Sequence, residues 1–514
     1  MIIKRILSIL IFTFFTATSI LAQNAGDVFL APDIIDTGDG HHMMAQRGYF
    51  FAPENRSDPE SNLIAIGILV FASTAETPGT PIFAMAGGPG GSRILVIKAG
   101  TEGVGHPAEG VLATELQIVE DLRTVGDVIF IDQRGSGLSV PLMDCPNHQV
   151  LGAFDQLLSA ETLDVAYRNF ALVCKQAWLN QGRDIDGYHA LEMADDIDEL
   201  RAALGYEKIS LYAGSFGSQW GFTTLRRHPE IIERVLFRGL EGVDHTFDMP
   251  TGTLTSVAAI LSAAEQDADI APHVPAGGIL KAITMLIHQL DAQPVTVAVT
   301  DEETGGVQNV VIGGDELRGT WRMSVRRQNE LQPWPASLLP VLAGDFSEIA
   351  QRVIAMKGPM NAQPTNNRRA MSLAIDCGLS PSPSRRAALL RDPAVDVLGA
   401  INARYFGICG AWAAPNVSDV FLAPISTKIP ALFLHGTWDT STPLMNSLAI
   451  INEFENGHLI VVEGGSHGVI NDLYREKPNV IRPLVRSFMR GEAIEGAPDR
   501  VVLDPINFAG PEGN

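Results

Sequence analysis

Ser215 is the first residue of the sequence whose setting suggests covalent chemistry. It lies within residues 213–217 (AGSFG), directly after an apolar run at 209–212 and directly before a helical pattern at 217–227. A serine on a tight turn between a strand and a helix is presented for nucleophilic attack, and such a turn needs small neighbouring residues. An ordinary Gly-Ser loop is the alternative interpretation, and the strand–turn–helix setting argues against it.

A serine nucleophile needs a general base, and the base needs an acid that orients it. His467 is our candidate base and Asp439 our candidate acid, because each follows a strand-like apolar run, at 458–462 and 431–434. The chain order Ser, acid, His is the one found where a serine sits on a strand-to-helix turn. If these runs are parallel strands, all three side chains lie at the same edge of one sheet.

Other histidines and acids compete for these roles. Two histidines fall at the end or the start of a predicted strand and are expected to be structural. Of the two acids, one follows His467 into a helix and the other is too close to it in the chain. The competitors are His435, His458, Asp472 and Glu463.

Acyl transfer also requires hydrogen-bond donors for the oxyanion of the tetrahedral intermediate. One donor is expected to be the amide of Phe216, the residue after the nucleophile. The second is expected from residues 86–91 (AGGPGG), where Gly88 is our first choice and Gly87 the alternative. A phosphate-binding loop is excluded, because no Lys followed by Ser or Thr stands at the required spacing.

Strands and helices alternate along most of the chain, which predicts a mostly parallel, doubly wound sheet with helices on both faces. The predicted strands are 48–51, 63–71, 81–86, 127–131, 209–212, 235–240, 429–434 and 458–462, and the predicted helices are 189–204, 217–227, 444–454 and 469–489, the last kinked or broken near Pro478.

Nearly 190 residues between Leu240 and Ile429 are not needed by this sheet and have helical patterns. A chain of 514 residues also exceeds what one hydrophobic core supports. We therefore expect a large, mainly helical cap domain inserted over the carboxyl ends of the strands. The predicted divisions are a signal peptide at 1–22, the first part of the core at 23–243, the cap at 244–425 and the second part of the core at 426–514.

The start of the chain resembles a secretory signal peptide. Lys4 and Arg5 precede an apolar run, and Ile20, Leu21 and Ala22 offer a cleavage site before Gln23. An uncleaved anchor helix is the alternative, but the run is short for a membrane span. We expect an exported protein, periplasmic or extracellular, without a stable membrane anchor.

Composition limits the partners. The formal net charge is −22, which argues against nucleic acid, because phosphate binding needs a basic face. We expect a peptide or small acyl substrate, no cofactor and no metal. Four cysteines in an oxidising compartment allow three pairings, of which neighbour pairing is the simplest; they are Cys145, Cys174, Cys377 and Cys409.

Several segments together resemble the proline iminopeptidase and tripeptidyl aminopeptidase family of α/β-hydrolase serine peptidases, over about residues 48–490. They are 87–92 (GGPGGS), 132–139 (DQRGSGLS), 204–206 (LGY), 209–215 (ISLYAGS), 436–443 (GTWDTSTP) and 465–468 (GSHG). Cys377 and residues 409–412 (CGAW) look like the paired cysteines of the tripeptidyl aminopeptidase branch. Two departures are Ala86, where proline iminopeptidases have His, and Ala213 in place of Gly.

The resemblance implies an α/β-hydrolase fold and hydrolysis at the amino end of peptides, beneath a helical cap. An aminopeptidase must bind an ammonium group, and Glu241, just past the strand at 235–240, is the best-placed carboxylate. A structural acid at this position is the alternative. An esterase or amidase with the same triad remains possible, because the fold does not determine the substrate. A catalytically silent binding protein is the remote alternative, and the intact Ser, His and Asp argue against it.

Overall fold

The computed structural model describes residues 23–37, 41–102, 111–145, 151–300, 305–321, 327–358, 369–399, 401–412, 417 and 419–511. The predicted signal peptide at 1–22 lies outside these residues. The strands are β1 (Val28–Asp36), β2 (His42–Pro53), β3 (Leu63–Phe71), β4 (Ile82–Met85), β5 (Val128–Ile131), β6 (Ile209–Ser215), β7 (Ile232–Leu240), β8 (Val295–Thr300), β9 (Val307–Ile312), β10 (Ala431–Gly436), β11 (Gly457–Glu463) and β12 (Arg500–Val502).

The α-helices follow the same order along the chain, with four single turns of 3-10 helix between them. They are α1 (Arg93–Glu102), α2 (Val111–Arg123), α3 (Ala160–Leu179), α4 (Ala190–Ala203), α5 (Phe216–Arg227), α6 (Pro250–Ala264), α7 (Ile279–Ala292), α8 (Gly314–Thr320), α9 (Gln328–Leu331), α10 (Trp334–Leu342), α11 (Ser347–Lys357), α12 (Arg369–Gly378), α13 (Pro383–Leu390), α14 (Val395–Leu398), α15 (Ala403–Trp412), α16 (Asp419–Leu422), α17 (Leu444–Ile450), α18 (Val469–Glu476) and α19 (Pro478–Arg490).

Ten of these strands form one sheet, in the order β1-β2-β3-β5-β4-β6-β7-β10-β11-β12. The first three strands and β5 pair antiparallel, and every pair from β5 to β12 is parallel. The carboxyl ends of β6, β10 and β11 therefore meet at one edge of the sheet. The predicted fold class, a mostly parallel sheet with helices on both faces, is confirmed.

The sheet separates two hydrophobic cores because side chains alternate between its faces along each strand. In β4, Phe83 and Met85 belong to the core that α3, α4 and α5 cover. Ile82 and Ala84 belong to the opposite core, which α1, α2, α18 and α19 cover. Strands buried on both faces have nearly continuous apolar sequences, and this made them recognisable.

The sequence pattern missed the edges of the sheet. The strand β1 alternates exposed and partly buried residues, and β12 has only three residues, so neither has a long apolar run. The predicted break near Pro478 is present, since α18 ends at Glu476 and α19 begins at Pro478. Proline is favoured in a first helical turn and disfavoured further along a helix.

The segment between β7 and β10 contains α6 to α16 and the two-stranded hairpin β8–β9. It has its own hydrophobic core, to which α6, α7, α8, α10 and α11 contribute. The hairpin was not predicted. The end of the chain returns to this core, where Phe508 is buried and its ring lies 6.3 Å from that of Trp438.

Two disulfides are present, and they follow the simplest of the three pairings. Cys145 is bonded to Cys174, with 4.8 Å between the Cα atoms, and joins the segment after β5 to α3. Cys377 is bonded to Cys409, with 5.0 Å between the Cα atoms, and joins α12 to α15.

Candidate active site

Ser215 lies at the junction of β6 and α5. Among the described residues, it alone combines a side chain with a positive φ, of 56°. A Cβ atom on Gly214 would lie 2.7 Å from Cγ of Arg238, and one on Gly217 would lie 2.8 Å from the carbonyl oxygen of Met85. Glycine is therefore required on both sides of the strained residue, as the AGSFG pattern predicts.

Ala213 occupies the position of the first glycine in the usual pattern, and a glycine is not needed there. It is a regular residue of β6, 1% exposed, and its methyl group packs in the core beneath α5. The turn begins only after it, so an alanine side chain has space.

Asp439 and His467 are brought together by the loops after β10 and β11. Nδ1 of His467 lies 2.8 Å from Oδ2 and 3.0 Å from Oδ1 of Asp439. The amides of Ser441 and Thr442 and the Thr442 hydroxyl each donate a hydrogen bond of 2.9 Å to the same carboxylate. Asp439 is fully buried, and His467 retains 18% of its side-chain exposure.

The surroundings of Asp439 keep it ionised. Burial alone would raise its pKa, but the neighbouring His467 and the hydrogen bonds outweigh burial and lower the pKa to about 2. A permanent carboxylate against Nδ1 holds the imidazole with Nε2 as its free nitrogen.

Gly239, near the end of β7, allows the acid and the histidine to pack closely against this strand. Its φ is +51°, and a Cβ atom there would lie 3.0 Å from Oδ2 of Asp439 and 3.4 Å from Nδ1 of His467. The next residue, Leu240, is paired with Ser215 in the β6–β7 ladder. Sequence reasoning missed Gly239, and a glycine at the carboxyl end of a buried strand is the signal that could have found it.

Both ring nitrogens of His435 have other hydrogen-bond partners, although its Nε2 lies 3.6 Å from Oδ2 of Asp439. His435 is wholly buried; its Nδ1 lies 2.5 Å from the Ser447 hydroxyl and its Nε2 lies 2.7 Å from the Thr442 carbonyl oxygen. Burial lowers the pKa of His435, although Asp439 opposes this effect. His458 is part-buried at the start of β11, with Nε2 at 3.2 Å from the Pro498 carbonyl oxygen.

The competing acids are also engaged elsewhere. Asp472 accepts hydrogen bonds from the amide and the hydroxyl of Ser466, at 2.9 and 2.7 Å. Glu463 forms an ion pair with Arg500 at the outer strand β12.

The glycine-rich loop lies against the serine. A Cβ atom on Gly87 would lie 3.1 Å from Cβ and 3.5 Å from Oγ of Ser215, so Gly87 is the loop residue packed on the nucleophile. Gly88 follows with φ +127°. Phe216, with a fully buried ring, is the first residue of α5, so its amide belongs to the unpaired first turn of that helix.

Glu241 directly follows β7. Its amide donates a hydrogen bond of 2.9 Å to the Ser218 hydroxyl, which in turn donates one of 2.6 Å to the Ser215 carbonyl oxygen. Its side chain is buried, and burial raises its pKa well above the usual range, with the negative charges of Asp248 and Asp376 adding to the effect.

Asp248 and Asp376 were not predicted, because nothing in the sequence places them beside Glu241. Burial raises the pKa of Asp248 to about 7. Asn446 donates a hydrogen bond of 2.8 Å to Asp248 and another of 3.3 Å to the Leu240 carbonyl oxygen, at the end of β7. Arg385 is the cation that opposes the raised pKa of both Glu241 and Asp248.

We call Glu241, Asp248 and Asp376 the acid cluster. Arg385 is the cation that acts on this cluster, while burial and the charge of neighbouring carboxylates raise the pKa of Glu241 and of Asp248. Across the described ranges, no group of His, Cys, Asp and Glu side chains is arranged to hold a metal ion. Nor is any helix in that part of the chain long and apolar enough to cross a membrane.

Two family models match the chain. A model described as alpha/beta hydrolase fold matches residues 101–270, which include Ser215. A second, described as TAP-like (tripeptidyl aminopeptidase-like) protein, matches residues 396–491, which include Asp439 and His467. Together the two regions include Ser215, Asp439 and His467.

Curated relatives match over most of their lengths. The serine protease Hip1 of Mycobacterium tuberculosis (strain ATCC 25618 / H37Rv) is 22% identical over 451 residues, covering 82% of this chain and 81% of that protein. The YuaR protein of Escherichia coli (strain K12) is 20% identical over 363 residues, covering 68% of this chain and 69% of that protein.

Solved structures of similar fold include MGS-M2, an alpha/beta hydrolase enzyme from a Medee basin deep-sea metagenome library. It is 9% identical with a TM-score of 0.34, and the match covers 84% of this chain and 95% of that one. The serine hydrolase CCSP0084 from Cycloclasticus zankles is 13% identical with a TM-score of 0.33, covering 90% and 99%. Similarity at this level adds no argument to the assignment.

The sheet order and the two family models agree with one another, and the matched relatives include a serine protease. The chain is therefore an α/β-hydrolase and a serine hydrolase, and over residues 396–491 it is similar to tripeptidyl aminopeptidase-like proteins.

Proposed function

We propose that this protein is an exported aminopeptidase that releases single residues or short peptides from the amino end of peptide substrates. The observation that carries the proposal is the acid cluster at the end of β7, beside the strand that ends in Ser215; Glu241 and Asp376 are buried and Asp248 is partly buried. A free amino terminus bound there would place the first peptide bonds of the substrate near Ser215.

Ser215, His467 and Asp439 act as the catalytic triad in this proposal. Nε2 of His467 takes the proton of the Ser215 hydroxyl as its oxygen attacks the scissile carbonyl, and Asp439 stabilises the imidazolium that forms. The carbonyl oxygen becomes an oxyanion, which accepts hydrogen bonds from the Phe216 amide and from the glycine-rich loop.

Collapse of this intermediate breaks the carbon–nitrogen bond. His467 gives its proton to the leaving amine, and the acyl group stays on Ser215 as an ester. A water molecule, deprotonated by the same histidine, then attacks the ester and releases the amino-terminal product, which regenerates the serine hydroxyl.

The acid cluster supplies the specificity for a free amino terminus. An ammonium group and a carboxylate attract each other far more strongly in a buried site than at an open surface. An N-acylated substrate has no ammonium group and would lose this attraction. The two disulfides support the exported location, because such bonds persist in oxidising compartments.

The proposal is tested with matched peptides that differ only by N-acetylation. We expect acetylation to lower kcat/KM at least about tenfold, equivalent to roughly 1.4 kcal/mol. Glu241→Gln should lose activity on the free peptide. It should therefore reduce the ratio of kcat/KM for the free peptide to kcat/KM for the acetylated peptide. Glu60→Gln, at an exposed acid outside the site, is the control and should leave the ratio unchanged.

The ratio of kcat/KM for the free peptide to kcat/KM for the acetylated peptide should also change with pH. Pairing needs ionised carboxylates, and the pKa of Asp248 is raised to about 7, so the preference should fall as the pH drops through 7. It should also fall above about 8, where a peptide amino group loses its proton. An effect of pH on the chemical step is common to both substrates and cancels in the ratio.

Equal cleavage of blocked and free peptides would contradict the aminopeptidase proposal. A panel of proline, alanyl and tripeptidyl arylamides beside short acyl esters then decides the substrate class. Esters cleaved much faster than every arylamide would replace the aminopeptidase with an esterase that uses the same triad.

A further inference from the structure

Gln133 has a fully buried side chain behind the glycine-rich loop. It is the second residue after β5 and the second residue of the DQRGSGLS segment (132–139). Its Oε1 accepts a hydrogen bond of 2.6 Å from the Gly90 amide. Its Nε2 donates to the carbonyl oxygens of Ala86 and Gly87, at 3.1 and 2.9 Å. The amide orientation is unambiguous, because Gly90 N–H can only donate and the two carbonyl groups can only accept.

These contacts determine where the amides of the loop point. In a trans peptide the carbonyl oxygen and the N–H of the next residue point in opposite directions. The peptide bonds from Ala86 to Gly87 and from Gly87 to Gly88 are both trans, since the cis bonds of the described chain lie elsewhere. Because Gln133 holds both carbonyl oxygens, the Gly87 and Gly88 N–H groups point away from it.

The same loop also lies against the nucleophile. Gly87 packs on Ser215, with its Cβ position 3.5 Å from the Ser215 oxygen. A Gly-Gly peptide has little steric resistance to rotation, because glycine is allowed at both signs of φ. Without a restraint it could turn and present a carbonyl oxygen, which would repel an oxyanion instead of stabilising it.

We propose that Gln133 is the positioning residue of the oxyanion hole, which holds the glycine-rich loop with its N–H groups directed toward the reacting carbonyl. This inference rests on the proposed role of Ser215 as nucleophile. It assigns a function to the DQRGSGLS segment, which the resemblance alone does not supply.

The test uses Gln133→Glu and Gln133→Met in the full-length protein. Glu has nearly the same shape but turns an oxygen toward the two carbonyl groups, and Met removes both contacts. Loss of one oxyanion donor lowers kcat by about 100- to 1,000-fold, and we expect both variants to fall in that range. Peptide binding, measured in the Ser215→Ala background, should change less than about threefold, because the oxyanion exists only after attack.

A second readout does not depend on the natural substrate. An alkyl fluorophosphonate labels an active serine and develops negative charge on its phosphoryl oxygen in doing so. The second-order labelling rate of both Gln133 variants should fall in parallel with kcat. Ser139→Ala is the matched control, since Ser139 is equally buried in the same segment but bonds to the Gly67 amide; it should label at the wild-type rate.

Rates are normalised to the folded fraction of each variant, obtained from urea unfolding. Labelling by folded Gln133→Glu or Gln133→Met within threefold of wild type would overturn the inference, as would weaker peptide binding with an unchanged kcat. Labelling that persists in Ser215→Ala would instead contradict the proposed nucleophile, so the two failures are distinguishable.

Discussion

At the scale of single residues, the geometry of the site depends on positions where a side chain would be too close to neighbouring atoms. Ser215 adopts a positive φ that only the surrounding turn can maintain, and Gly214, Gly217 and Gly239 each occupy a position where a Cβ atom would contact a neighbour at 3.0 Å or less. Strain of this kind persists at functional sites because the surrounding structure compensates for it.

The first prediction at this scale concerns the nucleophile. Ser215→Ala should lower kcat by at least about a thousandfold, because removal of the attacking oxygen leaves only binding and oxyanion stabilisation. The unfolding midpoint in urea should stay close to that of the wild type. The exposed Ser262 of α6 provides the control variant Ser262→Ala. Retention of more than about a tenth of wild-type kcat would exclude Ser215 as nucleophile.

At the scale of elements, α12 connects a disulfide to the acid cluster. Asp376 and Cys377 are adjacent in α12, and Cys377 is bonded to Cys409 of α15. The Thr246 hydroxyl donates to the Leu379 carbonyl oxygen at 2.7 Å, which ties the segment after β7 to the end of α12. The disulfide therefore restrains the helix that contributes one of the three acids.

Replacing this disulfide by Cys377→Ala/Cys409→Ala should lower both stability and substrate binding. For a separation of 32 residues, the chain-entropy model gives a loss of about 3.7 kcal/mol. The KM for a peptide with a free amino terminus should rise, because Asp376 is less firmly held.

The other disulfide provides the control. The Cys145–Cys174 disulfide closes a loop of similar length, with a separation of 29 residues, but lies outside the acid cluster. The variant Cys145→Ala/Cys174→Ala should therefore lose a similar free energy of unfolding with little change in KM. A KM that rises equally in both double variants would contradict the connection between α12 and substrate binding.

At the scale of the whole molecule, the chain closes on itself through its last described residues. The strand β12 adds to the edge of the sheet, and the Phe508 amide then donates a hydrogen bond of 3.1 Å to Asp267, beyond the end of α6. Trp438, which packs on Phe508, directly precedes Asp439. The end of the chain thus contacts both the core sheet and the inserted helices.

Buried acids predict how global stability depends on pH. Burial raises the pKa of Asp132 to about 7, against 3.8 for an exposed aspartate. Between these values the folded protein binds a proton that the unfolded chain releases, so this residue's contribution to the free energy of unfolding decreases as the pH rises toward 7. The free energy of unfolding of Asp132→Asn minus that of the wild type should therefore increase between pH 5 and pH 8.

Urea unfolding of both proteins at the two pH values measures this difference, which is at most about 1.4 kcal/mol for each pH unit within the window. The Leu138 amide, which donates to Asp132 at 2.8 Å, can donate equally to an asparagine oxygen. Glu60→Gln should show no such trend, because Glu60 is exposed. If this difference in the free energy of unfolding is constant with pH, Asp132 is ionised throughout the range and the prediction is wrong.

The sequence by itself determined the local features of this protein: the parallel strands, the strained turn at Ser215 and the positions of Asp439 and His467 after successive strands. Apolar runs, glycines and chain order are local signals, and each reflects burial or backbone conformation at its own position. The fold class predicted from them is confirmed, and neighbour pairing of the cysteines, one of three possibilities, is the pairing found.

Only the tertiary structure decided which distant residues meet. Asp248 and Asp376 join Glu241 because α12 and the segment after β7 fold onto the same strand end, and Gln133 reaches the glycine-rich loop because β5 lies beside β4. Gly239 and β12 likewise acquire their roles from neighbours that are distant in the chain. Such contacts depend on three-dimensional packing between residues that are far apart in the sequence, and no local pattern encodes that proximity.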